Sequence, residues 1–68
     1  MVELWIARDK YGELSLHYQQ PIYRTDKYDN KDYWTGGRIG ELPTSFFPEV
    51  TFENSPQKVE LNYVMNEL

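Results

Sequence analysis

From Val2 to Ile6 the side chains alternate, with Val2, Leu4 and Ile6 on one side and Glu3 and Trp5 on the other. This is the period of two of a half-buried strand. After RDKYG the alternation returns, setting Leu14, Leu16 and Tyr18 against Glu13, Ser15, His17 and Gln19. The two runs form a hairpin. Asp9 can cap the turn, and Gly12 can take the left-handed conformation that closes a three-residue loop of Lys10, Tyr11 and Gly12 with a bulge. That loop sets a register in which Asp9 faces Glu13, Ala7 faces Ser15, Ile6 faces Leu16, Trp5 faces His17 and Leu4 faces Tyr18. A slip of one residue would turn every apolar side chain to water.

Beyond it, Pro21 cannot donate to a ladder and ends or bends the second strand, with Ile22 and Tyr23 continuing as an edge. Residues 24–32, RTDKYDNKD, have no apolar period and form an exposed loop with a mobile tip. DYWTGGRIGEL then suggests a second hairpin turning at Gly36-Gly37, with Trp34 opposite Ile39 and Tyr33 covering Gly40. PTSFFP, fenced by Pro43 and Pro48, predicts a short helical turn over 43–47 whose Phe46 and Phe47 plug an end of the sheet. EVTFEN alternates again, with Val50 and Phe52 inward; NSPQ is a turn; KVELNYV follows with Val59, Leu61 and Tyr63 inward, and MNEL frays. The fold expected is mainly all-β: a small antiparallel sheet of about five to six short strands, curled into a partly open barrel. The alternative is a flatter sheet with the Phe46-Phe47 turn across one face.

Composition narrows the class. At 68 residues the chain has room for a single domain, residues 1–68, and its 40% hydrophobic and 16% aromatic content is too rich for disorder. With no cysteine, packing alone must stabilise it. Seven basic residues against 11 acidic ones give a net charge of -4, and the cations are scattered, which disfavours nucleic acid. MVELWIARDK resembles neither a signal peptide nor a membrane span, so a soluble cytoplasmic protein is expected, monomeric or weakly homo-oligomeric.

Candidate chemistry is sparse. His17 and Ser15 share a strand face because of the pleat, and a strand surface offers no cleft, so no enzyme activity is expected; His17 is a polar cross-strand partner for Trp5. Asp26, Asp29, Asn30 and Asp32 fail the calcium-loop pattern, since its third and sixth positions would be Tyr28 and Lys31. Gly36-Gly37 lacks the lysine and helix of a phosphate loop. No metal and no cofactor are expected. The aromatic side chains are the remaining signal. Tyrosine and tryptophan are enriched in interface hot spots, and Trp5, His17, Tyr23, Tyr28 and Tyr33 are the candidate partner-binding residues of a non-catalytic protein–protein interaction module. Its contact surface would be the outer face of the first hairpin with the segment from Tyr23 to Trp34. For Trp5 both core and contact surface stay open. The alternative function is a single-stranded nucleic-acid-binding module that uses the same rings as stacking platforms.

LWIARDKYGELSL and LPTSFFPEVTFENSPQKVEL together resemble a group of small uncharacterised bacterial proteins of phage-like or mobile-element type, with an opening ARD hairpin and a later FPEV. The resemblance covers most of the chain in outline and is weakest over 23–35. It transfers no site residues, because the group has no established activity. It implies a setting in which short acidic proteins bind host or phage proteins.

Overall fold

A computed structural model describes residues 3–29 and 31–60. The first alternating run forms β1 (Glu3–Arg8) and the second β2 (Leu14–His17). They pair antiparallel in the expected register, with Trp5 opposite His17, Ile6 opposite Leu16 and Ala7 opposite Ser15. The turn is built as its residues dictate. The Asp9 carboxylate accepts from the Tyr11 and Glu13 amides at 2.9 and 3.0 Å, and Gly12 has φ 92°. The ladder ends at His17, so Leu4 faces not Tyr18 but Val59, on β6 (Gln57–Glu60). On the far side of β2 lies β5 (Arg38–Leu42), giving an antiparallel sheet in the order β5-β2-β1-β6. A register shift at Leu16/His17 sets Gly40 against Leu16 and Arg38 against His17 and leaves Ile39 exposed.

One face of this sheet carries the main core. Ile6 and Leu14 are buried there with Val50, and Leu16, Leu42 and Val59 pack around them. Each fully buried aliphatic side chain contributes about 1.5–3 kcal/mol, so these few residues carry much of the stability of so small a chain.

Residues 24–26 and 31–32 are strand rather than loop, and among the described residues only 27–29 keep the exposed turn expected of the whole stretch. The strand residues belong to a second antiparallel pair, β3 (Ile22–Asp26) and β4 (Lys31–Thr35), in which Tyr23 faces Trp34 and Thr25 faces Asp32. The turn between them is organised by Asp26, whose Oδ1 accepts from the Tyr28 amide at 2.9 Å. Nor do β4 and β5 form a hairpin at Gly36-Gly37. The Gly37 carbonyl accepts from the Tyr18 amide at 2.9 Å, which ties the glycines to the end of β2 and carries the chain from the two-stranded ribbon back to the four-stranded sheet. Glycine is required at this crossing. Gly37 has φ 60°, and a Cβ there would come within 2.5 Å of Gln19 Cγ. Trp34 therefore opposes Tyr23 rather than Ile39, and Tyr33 opposes Arg24 rather than covering Gly40.

Two expectations about the stretch between β5 and β6 also change. Residues 50–53 alternate in hydrophobicity, but their backbone is satisfied locally rather than by a ladder. The Thr51 amide donates to Asn54 Oδ1 at 2.8 Å, the Asn54 amide to Thr51 Oγ1 at 3.2 Å, and Asn54 Nδ2 to the Glu49 carbonyl at 2.9 Å. Residues 43–47 hold a single turn, closed by Phe46 N–H to the Pro43 carbonyl at 2.9 Å, and no helix follows. Phe46 and Phe47 stay partly exposed, at 49% and 38%, and Val50 takes the place expected for them against the sheet.

Arg8 holds this stretch down. It lies on the core face of β1, two residues beyond Ile6, and all five of its guanidinium N–H groups donate to backbone carbonyls. Nε reaches Val50 at 2.6 Å, Nη1 reaches Gly12 and Thr44 at 2.8 and 3.1 Å, and Nη2 reaches Phe46 and Phe47 at 2.9 and 3.2 Å. The Arg8 amide donates to Ser55 Oγ at 2.8 Å. The result is an all-β fold of six short antiparallel strands in two sheets, open rather than closed into a barrel. The expected positions of Val2, Asn30, Leu61 and Tyr63, and of the fraying MNEL, lie outside the described residues.

Candidate functional site

The side-chain period of two sorts the β3–β4 ribbon into two chemically different faces. Tyr23, Thr25, Asp32 and Trp34 share one face, which lies over the second face of the four-stranded sheet. Trp34 is buried, and its indole N–H donates to the Arg8 carbonyl at 3.0 Å. Tyr23 meets Trp34 edge-on, with ring centroids 4.9 Å apart, and touches Phe52 at 5.0 Å. Asp32 pairs with Lys10 at 2.6 Å. That ammonium holds the Asp32 carboxyl below its ordinary range, while Asp32 in turn raises Lys10. The Tyr23 hydroxyl is sealed from solvent beside Asp32, near enough to feel its charge. Burial first, and the Asp32 charge second, push its pKa up.

Under the ribbon lies an internal polar couple. His17 has no exposed surface and Ser15 retains 6%. His17 Nδ1 lies 2.8 Å from the Gly36 carbonyl, which can only accept, so Nδ1 carries the proton. Nε2 is then the acceptor for the Ser15 hydroxyl, also at 2.8 Å, and the Ala7 carbonyl, at the longer distance of 3.3 Å, competes for the same proton. Burial is the main cause of a lowered His17 pKa; the Arg38 charge adds to it, and the Gly36 bond opposes it. A serine hydroxyl donating to an oriented neutral imidazole is the arrangement of an activated nucleophile. Here, however, the imidazole is enclosed, and Ser15 reaches only the floor of a cleft of about 510 Å³ shared with Trp34, Asp32 and Arg38. The couple joins β2 to the glycine crossing and so fixes how the ribbon sits on the sheet.

The other face of the ribbon, with Ile22, Arg24, Asp26, Lys31, Tyr33 and Thr35, points away from the sheet. Tyr28 projects from the turn and is 99% exposed; Tyr33 is 41% exposed and Ile22 63%. Asp26 uses its carboxylate in the turn, accepting from Tyr28 and Asp29 amides. Beside these rings a groove of about 390 Å³ runs between Arg24, Thr25, Asp26, Lys27, Tyr28 and Tyr33.

The five candidate contact residues therefore separate. Tyr28 and Tyr33 are on the exposed side of the ribbon, Tyr23 is on its buried side, His17 is internal, and Trp5 is half-buried between His17 and Lys58. The outer face of the first hairpin is not a free contact surface, because Ala7, Ser15 and His17 on it are buried. Sequence reasoning passed over Arg8 and the Lys10–Asp32 tie. The signal for Arg8 was present: it is a cation in phase with Leu4 and Ile6 on an otherwise apolar strand face. Among the described residues no three His, Cys, Asp or Glu side chains come together as metal ligands would, and no helix is long and apolar enough to cross a membrane. Compared with family models, curated proteins and solved structures, the chain matches none.

Proposed function

We propose that this protein is a non-catalytic protein-binding module that meets its partner through the outward face of the β3–β4 ribbon. The observation that carries the reading is the placement of Tyr28 and Tyr33: two large rings held out on a ribbon whose other face is anchored by Trp34. Rings presented this way supply contact area at a low cost in conformational entropy, the property that concentrates tyrosine in binding surfaces. A cytoplasmic setting among phage-like or mobile-element proteins fits such a module, since short proteins of that kind work by engaging larger ones.

The test is co-purification of the tagged full-length protein from its native host beside the Tyr28→Ser/Tyr33→Ser double variant. The expected result is a partner retained by the parent and lost by the variant at unchanged melting temperature. A partner that stays with the variant would place the contact elsewhere. A second reading, single-stranded nucleic-acid binding, is favoured by one observation: Arg24, Lys27 and Lys31 lie beside the same two rings, the pairing of cations and stacking platforms such modules use.

A further inference from the structure

The seven basic residues of the chain are used very unequally. Arg8 spends all five N–H groups on backbone carbonyls. Lys10 is bound to Asp32, Arg38 to Glu41 and Lys58 to Glu3. The three left without an ion pair or side-chain hydrogen bond among the described residues are Arg24, Lys27 and Lys31, and all three are on the ribbon. Of the acids of the same segment, Asp32 is turned inward to Lys10, whereas Asp26 shares the outward face with Arg24 and Lys31 and Asp29 is exposed at the turn. The outward side thus presents Arg24 and Lys31, with Lys27 at the turn, around Tyr33, Tyr28 and Ile22. These three cations outnumber the two acids there, Asp26 and Asp29, of which Asp26 has its carboxylate engaged by turn amides.

We propose that this face docks an acidic, partly apolar peptide segment of a partner protein, whose carboxylates meet Arg24, Lys27 and Lys31 and whose apolar side chains lie on Ile22 and Tyr33. The inference rests on the protein-binding reading above and names the partner's chemistry. Three points favour a peptide over a nucleic acid. Ile22, exposed on the same face, offers an aliphatic contact suited to an apolar side chain. Three cations neutralise few phosphates, so the counterion release that drives nucleic-acid binding is small. The chain as a whole carries -4, which repels a polyanion at longer range than it repels a short peptide with a few carboxylates. The groove between Arg24, Lys27, Tyr28 and Tyr33, which Thr25 and the turn-bonded Asp26 also line, is wide enough, at about 390 Å³, to take one partner side chain.

The experiment uses the full-length protein and fluorescence anisotropy at about 50 mM salt, where exposed charges are weakly screened. Three labelled probes are compared: a peptide of alternating Glu and Ala, the same peptide with Gln for Glu, and an oligothymidylate of matched length. The expected result is saturable binding of the Glu peptide. It should weaken about 5- to 10-fold in the Arg24→Gln/Lys31→Gln variant and by a similar factor when Gln replaces Glu in the probe, the size expected for losing two exposed ion pairs. An Arg24→Glu variant should weaken it further, and both variants should keep the parent's melting temperature. Equal binding of the Glu and Gln peptides would overturn the charge proposal while leaving a contact through Tyr28 and Tyr33 intact. Tighter binding of the oligothymidylate with a steep salt dependence would overturn it in favour of nucleic acid. Failure of the Glu peptide to bind would overturn it outright, whereas the protein-binding reading stands or falls separately on the Tyr28 and Tyr33 co-purification.

Discussion

Two side chains, His17 and Arg8, hold the molecule together by giving their polar groups to backbone carbonyls, and each leaves a distinct thermodynamic signature. His17 titrates in the fold below its ordinary value of 6.5. As pH falls, the unfolded chain therefore takes up the proton first, so the stability that His17 contributes is complete above about pH 6.5 and declines below it until the folded imidazole also protonates. The urea midpoint of the parent should fall between about pH 7 and about pH 5, and a His17→Gln variant should lose the histidine part of that slope. An equal slope in both proteins would assign the effect to carboxylates. Arg8 is the stronger case. Arg8→Met removes five donors at once and leaves the Val50, Thr44, Phe46, Phe47 and Gly12 carbonyls to water or to nothing; a loss of about 2–4 kcal/mol is expected in denaturant unfolding. Arg8→Lys should recover little of it, because an ammonium has three donors and no planar fork.

At the scale of elements, the glycine crossing is the most constrained. Gly37→Ala requires a left-handed alanine whose Cβ comes within 2.5 Å of Gln19 Cγ and 3.1 Å of the Gln19 amide nitrogen. A destabilisation of about 1–3 kcal/mol is expected, with an unchanged m-value, since the surface exposed on unfolding stays the same. The elements also differ in how plainly their residues announce them. The β1–β2 hairpin and its register follow from strict alternation plus Asp9 and Gly12, all of it local. The β3–β4 ribbon hides because its inward positions include Thr25 and Asp32, and the salt bridge to Lys10 that makes an inward aspartate tolerable comes from a residue more than twenty positions away. Residues 50–53 mislead in the opposite sense. Their apolar alternation is real, but Thr51 and Asn54 satisfy the backbone locally, and Val50 and Phe52 pack against different parts of the molecule. The exposed tyrosines of the candidate surface were visible in the sequence, whereas which cations stand free beside them depends on partners that only the fold brings together.

At the scale of the whole molecule, the ribbon and the four-stranded sheet are joined by few but specific links: Trp34 to the Arg8 carbonyl, Lys10 to Asp32, and His17 to the Gly36 carbonyl. Trp34→Ala removes the buried ring among them. Amides of β3 and β4 should then exchange with solvent faster, at least about tenfold, while those of β1 and β2 keep more of their protection. A uniform loss across both sheets would mean instead that the two open as one cooperative unit. The bond from the Tyr18 amide to the Gly37 carbonyl bears on this too. It brings the end of β2 against the start of β5, strands that are already neighbours in the sheet, so everything from Gln19 to Gly36 is topologically an insertion into a single hairpin. The core of the sheet's leucine face, Ile6, Leu14 and Val50 with Leu16, Leu42 and Val59, takes no residue from that insertion. Provided an inserted hairpin keeps the links of Trp34 to the Arg8 carbonyl and of Gly36 to His17, its outward residues can be exchanged without touching the sheet, so that, on the proposed reading, the contact face of the ribbon can change while its scaffold does not.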